Sequence, residues 1–305
     1  MKPTPPRRNL ALLLLATLPF ACARPIDPAY VKQVDDWHAG RLASLRGETG
    51  WLTLVGLHPL HAGANTLGSA EGMDVRLAAK APARLGTLTL TGDALDLAVN
   101  ADVNASLQNR TDRLGGTTVA LASDASGHPT IVETGGLLFY AIRRGERFFL
   151  RVKDPDSEVR RNFTGIDRFP VDPRWRVKAK LERFDPPRKV AVPDVLGGLN
   201  QEECPGTLVF RLRGQEYRLT PTGGPGEGLS LVFADATTGR ATYGGGRFLD
   251  TDPPAADGTV TLDFYRAYNP PCAFTAFATC PLPPDGNKLP LAVEAGEKAY
   301  GAGHH

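Results

Sequence analysis

Alternating apolar and polar residues predict β-hairpins along most of the chain. In TLTLTGDALDLAV (87–99), Leu88 and Leu90 precede a Gly92-Asp93 turn, and apolar residues alternate again beyond it. Alternation interrupted by a short glycine-containing turn is typical of a hairpin. The same pattern predicts further hairpins and strands at 137–142 with 147–152, 207–220 around Gly214-Gln215, 176–184, 229–235 and 260–265.

The strand at 260–265 also predicts which side chains face the core. Successive side chains of a strand point to opposite faces of its sheet. The expected inward set is Val260, Leu262 and Phe264, and the expected outward set is Thr261, Asp263 and Tyr265. Prolines and glycines in 186–198 predict an irregular connection between two halves of the molecule.

One segment has helical rather than alternating spacing. In PAYVKQVDDWHAGRLASLR (28–46), apolar residues recur every three to five positions, and Gly47 follows the last of them. This spacing predicts an amphipathic helix that ends at Gly47. The apolar positions are Tyr30, Val34, Trp37, Leu42 and Leu45.

Composition supports a mainly β fold. The 305 residues include 33 Gly and 26 Pro, most of them between short apolar runs. Frequent turns between short strands are typical of a β-sandwich or barrel. We therefore predict a helical lead-in at 24–50, a first β-sandwich at 51–135 and a second β-sandwich or barrel at 136–305.

The first residues resemble an export signal. Basic residues precede the apolar run LALLLLATL, and Ala21-Cys22-Ala23 follows it. This order predicts a signal peptide at 1–23 and a periplasmic or secreted protein. A lipid anchor at Cys22 is the alternative, although Pro19 replaces the leucine-like residue of lipoprotein signals. No later segment has the length of apolar chain that a membrane span needs.

Charge argues against a nucleic-acid partner and singles out one basic segment. Residues 1–23 contain three basic and no acidic residues, which leaves 32 basic and 33 acidic residues. A near-neutral protein is not a general nucleic-acid binder. Residues 141–190 nevertheless hold fifteen basic and eight acidic residues. Arg160 and Arg161 within it are candidate ligands for a carboxylate or phosphate, and solvated strand faces paired with local acids are the alternative.

A second polar set lies in and near the segment 241–289. Its members are Asp235, Tyr243, Arg247, Asp263 and Asn269. Such side chains could line a binding site, with Arg247 holding an anion and Asp263 acting as base or acceptor. They could equally be structural, with Asp235 capping its turn and Arg247 bracing a carboxylate such as Asp263.

The cysteines and histidines predict a disulfide and no metal site. Without Cys22 three cysteines remain, and Cys272 and Cys280 are the closest pair. Export permits a disulfide between them; two buried thiols or a metal pair are the alternatives. His58 and His61 flank Pro59 in a predicted loop and make a poor metal pair. No familiar catalytic or cofactor signature occurs in the sequence, so we predict no cofactor.

Four motifs together resemble the DUF1684 family. They are WLTLVGL (51–57), RNFTGIDRFPVDPRWRV (161–177), TYGGGRFL (242–249) and AYNPPCAFTAFATCPLPP (267–284). The resemblance implies an architecture shared over nearly the whole mature chain and no defined chemistry. Tyr265 stands where family members usually have asparagine.

The front of the chain resembles a forkhead-associated (FHA) sandwich. HAGANTLGSAEGMDVRL and APARLGTLTLTG place glycine-rich turns between short strands, as that module does. The positions of its phosphothreonine site hold Ser69, Pro82 and Leu85 instead of arginine, serine and histidine. The resemblance therefore implies the scaffold without phosphopeptide binding.

Three functions remain open from the sequence. The first is an exported protein that binds a small anionic or polar ligand in the C-terminal half. The second is an exported hydrolase that uses Asp263 with Tyr243 or a histidine. The third is a structural or protein-interaction module.

Overall fold

The computed structural model describes residues 26–224 and 226–301. The predicted helix is confirmed as α1 (Pro28–Arg46), capped by the Asp27 carboxylate and followed by Gly47. Its buried side chains are Tyr30, Val34 and Leu45. The predicted signal peptide, the alternative anchor at Cys22, and His304 and His305 lie outside the described residues. Within those residues, no helix combines the length and apolarity needed to cross a bilayer.

Ten strands of the N-terminal half form two five-stranded sheets. One has the order β1-β10-β9-β8-β6 and the other β3-β2-β4-β5-β7. The strands are β1 (Leu54–Pro59), β2 (Gly63–Gly68), β3 (Val75–Arg76), β4 (Gly86–Thr91), β5 (Ala94–Val99), β6 (Ser106–Leu107), β7 (Thr118–Ala120), β8 (Val132–Thr134), β9 (Leu137–Arg144) and β10 (Arg147–Lys153).

The two sheets bury one shared apolar cluster. Leu88 and Leu97 from one sheet and Phe139 and Leu150 from the other belong to it, and all are fully buried. Packing of two sheets through their alternating inward residues makes this half a sandwich. The predicted hairpins at 87–99 and 137–152 are confirmed as β4–β5 and β9–β10.

The same pairing corrects the predicted domain boundary at 135/136. β9 pairs with β8, and β10 pairs with β1, so residues 136–153 belong to the first sandwich. The FHA-like division at 51–135 therefore cuts one sheet in two. The boundary could not be placed from local alternation, because alternation does not show which strands pair.

The C-terminal half has a four-stranded sheet, β13-β12-β11-β16, and a two-stranded sheet, β14-β15. No sheet among the described residues closes into a barrel. The strands are β11 (Arg176–Pro193), β12 (Leu199–Leu212), β13 (Gln215–Leu219), β14 (Ser230–Phe233), β15 (Arg247–Asp250) and β16 (Thr259–Asp263). The predicted hairpin around Gly214-Gln215 is confirmed as β12–β13.

The predicted connection at 186–198 is wrong over most of its length. β11 continues through Pro186 and Pro187 to Pro193 and pairs with β12 on both sides of an irregularity between Arg183 and Arg188. Proline cannot donate to a ladder, but a bulge tolerates it. This explains how two prolines fit into a long strand.

Side chains from both sheets and from α1 make the core of the C-terminal half. Tyr30 and Val34 of α1 pack with Phe210, Phe233 and Phe264. All three predicted inward residues, Val260, Leu262 and Phe264, are buried. Asp263 and Tyr265 are also buried, contrary to the predicted outward set, because a 3-10 helix at Phe264–Arg266 ends the alternation.

Short helices complete the described structure. α2 spans Glu158–Arg161 and links the two halves. The remaining 3-10 helices are Trp51–Thr53, Asp124–Ser126, Pro173–Trp175 and Pro271–Ala273.

Candidate functional site

Arg247 and Asp235 form a buried ion pair in the core of the C-terminal half. Arg247 Nη2 lies 2.7 Å from Asp235 Oδ2, and the two side chains are 1% and 0% exposed. Arg247 also donates to the carbonyls of Val293 and Ala295. Asp235 Oδ1 accepts from the backbone and hydroxyl of Thr237. The ion pair therefore has the structural role that the sequence analysis gave as the alternative. The carboxylate that Arg247 braces is Asp235 rather than Asp263.

Asp263 is held by α1. The Tyr30 hydroxyl donates to Asp263 Oδ1 at 2.9 Å, and the same oxygen caps the backbone amide of Tyr265. Arg176 Nε lies 3.9 Å from the other carboxylate oxygen. Burial, together with the Asp263 charge, raises the pKa of Tyr30. These contacts attach the helix to the end of β16.

Tyr243 and Asn269 also make backbone contacts. The Tyr243 hydroxyl donates to the carbonyl of Cys272 at 3.2 Å, and burial raises the pKa of its phenol. Asn269 donates from Nδ2 to the carbonyl of Lys298. The predicted disulfide between Cys272 and Cys280 is present, and Cys204 is a free buried thiol.

Arg160 and Arg161 lie elsewhere, on α2. Arg160 donates to the carbonyls of Arg46 and Pro155, and Arg161 pairs with Asp156. The predicted site residues thus make their contacts in different parts of the structure. Asp263 bonds to α1, whereas Tyr243 bonds to the disulfide loop.

A cleft beside α1 brings other polar and aromatic groups together. Three cavities of about 510, 300 and 150 Å³ all have Asp250 and Tyr268 in their walls. We call this the Tyr268 cleft. α1 contributes one wall, the 3-10 helix at Trp51–Thr53 another, and β14–β15 the floor.

Aromatic rings form the apolar walls of the Tyr268 cleft. The ring of Tyr268 lies 6.3 Å from Trp37, 6.4 Å from Trp51 and 5.7 Å from Phe248, measured between centroids. Such spacing is typical of packed aromatic pairs. The walls can therefore stack against a flat apolar face.

Arg41 lies between two of these rings. Its guanidinium carbon is 4.7 Å from the Trp51 centroid and 4.8 Å from the Tyr268 centroid. Arg41 Nε lies 3.4 Å from Glu297 Oε1, and Nη2 donates to the carbonyl of Asn269. Burial raises the pKa of Glu297 against the opposing effect of Arg41. The Arg41 charge is thus paired within the protein.

Asp250 presents a carboxylate at the centre of the cleft. Tyr268 donates its hydroxyl to Asp250 Oδ2 at 2.7 Å, and Ser230 donates to Oδ1 at 2.8 Å. Burial, then the bond to Asp250, raises the pKa of the Tyr268 phenol. The phenol therefore stays protonated and keeps donating, while the remaining lone pairs of Asp250 can accept from a ligand.

Acidic residues outnumber basic ones around the cleft. Glu202, Asp252 and Asp36 line it together with Asp250, and Asp36 forms an ion pair with Lys32. The basic lining residues are Arg41, which is paired with Glu297, and Arg266. Like charges repel in a confined space. The cleft therefore disfavours an anion and favours an uncharged or cationic group.

Sequence reasoning missed this cleft because its parts are distant along the chain. Trp51 and Tyr268 both lie in the segments that carry the family resemblance, and Asp250 directly follows the TYGGGRFL motif. Each of these residues can be located separately in the sequence. The contact between Trp51 and Tyr268, however, spans the two halves of the molecule, and alternation within one strand does not predict such a contact.

The described residues contain no group of three or more His, Cys, Asp or Glu side chains able to hold a metal ion. His61 Nε2 lies 4.0 Å from Asp74 on an exposed surface. Burial lowers the pKa of His58.

Comparisons with known proteins agree with the sequence motifs. The model of a family described as a protein of unknown function, DUF1684, matches residues 161–298, a shorter span than the resemblance implied. An uncharacterised protein of Haloarcula marismortui, solved by solution NMR, is 33% identical; the match covers 48% of this chain and 82% of that protein, with a TM-score of 0.40. No curated protein matches the chain. Residues 161–298 of the chain therefore belong to the DUF1684 family.

Proposed function

We propose that the protein is exported and binds a small, polar, uncharged ligand in the Tyr268 cleft. The observation that carries this proposal is the convergence of Trp37, Trp51 and Tyr268 with the Asp250 carboxylate in one cleft. Apolar walls with a few placed polar groups are the usual composition of ligand sites.

A sugar ring is the ligand class that fits this arrangement. Its C–H face is apolar and flat enough to stack on an aromatic side chain, and its hydroxyl edge can donate to a carboxylate. Asp250 supplies acceptor oxygens, and Ser230 and Tyr268 fix their direction. The acidic lining favours a neutral sugar over a sugar acid, which narrows the sequence-based expectation of an anionic or polar ligand to the polar class.

Export rests on the sequence pattern at 1–23, and the Cys272–Cys280 disulfide is compatible with it. Disulfides persist in oxidising compartments outside the cytosol. An exported protein meets the free sugars and glycans of the cell envelope and its surroundings. The location and the proposed ligand class are therefore consistent.

Tryptophan fluorescence tests the proposal directly. Two of the three tryptophans, Trp37 and Trp51, line the cleft, whereas Trp175 is buried in the core. We expect neutral mono- or disaccharides to change the emission, with the corresponding uronic acids binding more weakly. Asp250→Asn should weaken binding by about tenfold or more, because it removes a charged acceptor.

Trp175→Phe is the matched control, since it changes a tryptophan outside the cleft and should keep the ligand response. A panel of neutral sugars that leaves the emission of the folded protein unchanged would contradict the proposal. Equal binding by the Asp250→Asn variant would remove the assigned acceptor.

A further inference from the structure

A second cavity lies in the N-terminal sandwich, outside the residues that match DUF1684. Its volume is about 270 Å³, and it opens on the face of β9 and β10 that is turned away from the shared core. Phe139 and Val152 point into that core, so Leu138, Tyr140 and Lys153 point the opposite way. None of its lining residues belongs to the Tyr268 cleft.

The walls of this cavity are largely apolar. Pro129, Ile131, Leu138 and Tyr140 line it. Leu138 is buried, and the other three are half-buried. An apolar body of the size of one aromatic ring could be accommodated against them.

One ammonium group enters this apolar space. Lys153 lies directly opposite Leu138 in the β9–β10 pair. Its Nζ donates to the carbonyl of Thr49 at 2.7 Å and lies 5.9 Å from the Tyr140 ring. An ammonium group has three donor hydrogens. Lys153 thus contacts a carbonyl and a ring. Among the described residues, no carboxylate forms an ion pair with it.

The acid in the cavity wall is already engaged. Asp124 Oδ2 accepts from Arg144 Nη1 at 2.7 Å, and Oδ1 accepts from the backbone amide of Arg143. Burial, and then the nearby Arg151, lower the pKa of Lys153. A bound anion would offset both effects. The cavity therefore differs in charge from the acidic Tyr268 cleft.

We propose that this cavity is a second binding site, for a small hydrophobic carboxylate, with the carboxylate on Lys153 and the apolar body against Ile131 and Leu138. A charge-assisted hydrogen bond from the ammonium supplies the polar contact. Burial of the apolar body supplies the rest of the affinity. The site is independent of the sugar ligand proposed for the Tyr268 cleft.

Calorimetric titration with benzoate and with benzamide tests this site. The two probes share shape and ring, and only benzoate is an anion. We expect the unmodified protein to bind benzoate at least tenfold more tightly than benzamide. Lys153→Met, which keeps the apolar stem, should weaken benzoate binding at least tenfold and leave benzamide binding unchanged.

Lys178→Met is the matched control, because Lys178 is an exposed lysine on the other half, hydrogen-bonded to Thr261. It should leave both titrations unchanged. Ile131→Trp fills the cavity while keeping Lys153, and should abolish the binding of both probes. Circular dichroism checks that each variant is folded.

Equal affinity for benzoate and benzamide in the unmodified protein would overturn the proposal without any variant. Undiminished benzoate binding by folded Lys153→Met or Ile131→Trp would overturn it as well. Benzoate binding that disappears in Trp51→Ala instead would place the anion in the Tyr268 cleft, which also contradicts the proposal.

Discussion

Arg247 shows how a buried charge can be held without a ligand. The guanidinium is surrounded by one carboxylate and two carbonyls, all contributed by the protein. Burial lowers the pKa of Arg247, and the Asp235 charge opposes that effect. A cation in such a position depends on every partner, because no water-filled space replaces a lost one.

Replacing Arg247 tests this dependence. Arg247→Met should lower the free energy of unfolding by about 3–5 kcal/mol, because Asp235 would remain buried without its cation. Urea unfolding measures the change. Arg218→Met is the control, since Arg218 pairs with Glu182 and Glu216 on the exposed face, and it should cost far less. Equal losses of unfolding free energy in the two variants would contradict a larger contribution of the buried pair to stability.

Several residues that the sequence predicts at a binding site make structural contacts in the folded protein. Arg247, Asp263 and Asn269 were expected at a site, and the structure gives each an internal partner. Their polar character was visible in the sequence, but their burial depends on α1 and the segment 293–298, which are far away along the chain. The sequence does not single out Asp250 and Tyr268 as site residues, because one contact between distant segments defines their position.

At the scale of elements, local patterns predicted what depends on neighbours in the chain. α1 and three hairpins follow from apolar spacing and turn residues, and all are confirmed. Strand partners that are far apart in sequence were not predictable in this way. β1 pairs with β10, and β11 pairs with β16; the pairing of β1 with β10 decides the domain boundary.

The disulfide loop is an element whose contribution can be measured alone. Cys272 and Cys280 are eight residues apart, and closing a loop of this size should stabilise the fold by about 2–3 kcal/mol. Reduction of the unmodified protein should therefore lower the free energy of unfolding by that amount.

Two variants separate the disulfide from the free thiol. Cys204→Ala should lose the same stability on reduction as the unmodified protein, because Cys204 is not bonded. Cys272→Ala/Cys280→Ala should not respond to reductant at all. If reductant also lowered the stability of the double variant, the loss of stability would not come from the Cys272–Cys280 disulfide.

At the scale of the whole molecule, Glu297 joins segments from both ends of the described chain. It pairs with Arg41 of α1 and accepts from the backbone amide of Asn269. Arg41 and the neighbouring Trp37 and Trp51 lie outside the family match at 161–298, whereas Tyr268 and Asp250 lie inside it. The Tyr268 cleft is therefore completed by residues beyond the matched region.

The pKa of Glu297 predicts a pH dependence of stability. Burial raises this pKa above the ordinary value of 4.5, so the folded state binds the proton more tightly than the unfolded state. The contribution to stability is then largest below about pH 4.5 and is lost as the pH rises through the folded-state pKa. Unfolding measured from pH 4 to 8 should show a decline that Glu297→Gln lacks. Parallel curves for the two proteins would contradict this assignment.

The carbonyl partners of Arg247 have a consequence for the order in which the protein can be made. They lie 46 and 48 residues after the arginine. The acceptor of the Tyr30 hydroxyl, Asp263, lies 233 residues after Tyr30. Synthesis delivers a chain from its N-terminus. The C-terminal core can therefore close only when residues near 295 have arrived, and a chain interrupted earlier retains an open, protease-sensitive core. Only a chain that includes the residues near 295 can therefore close the C-terminal core.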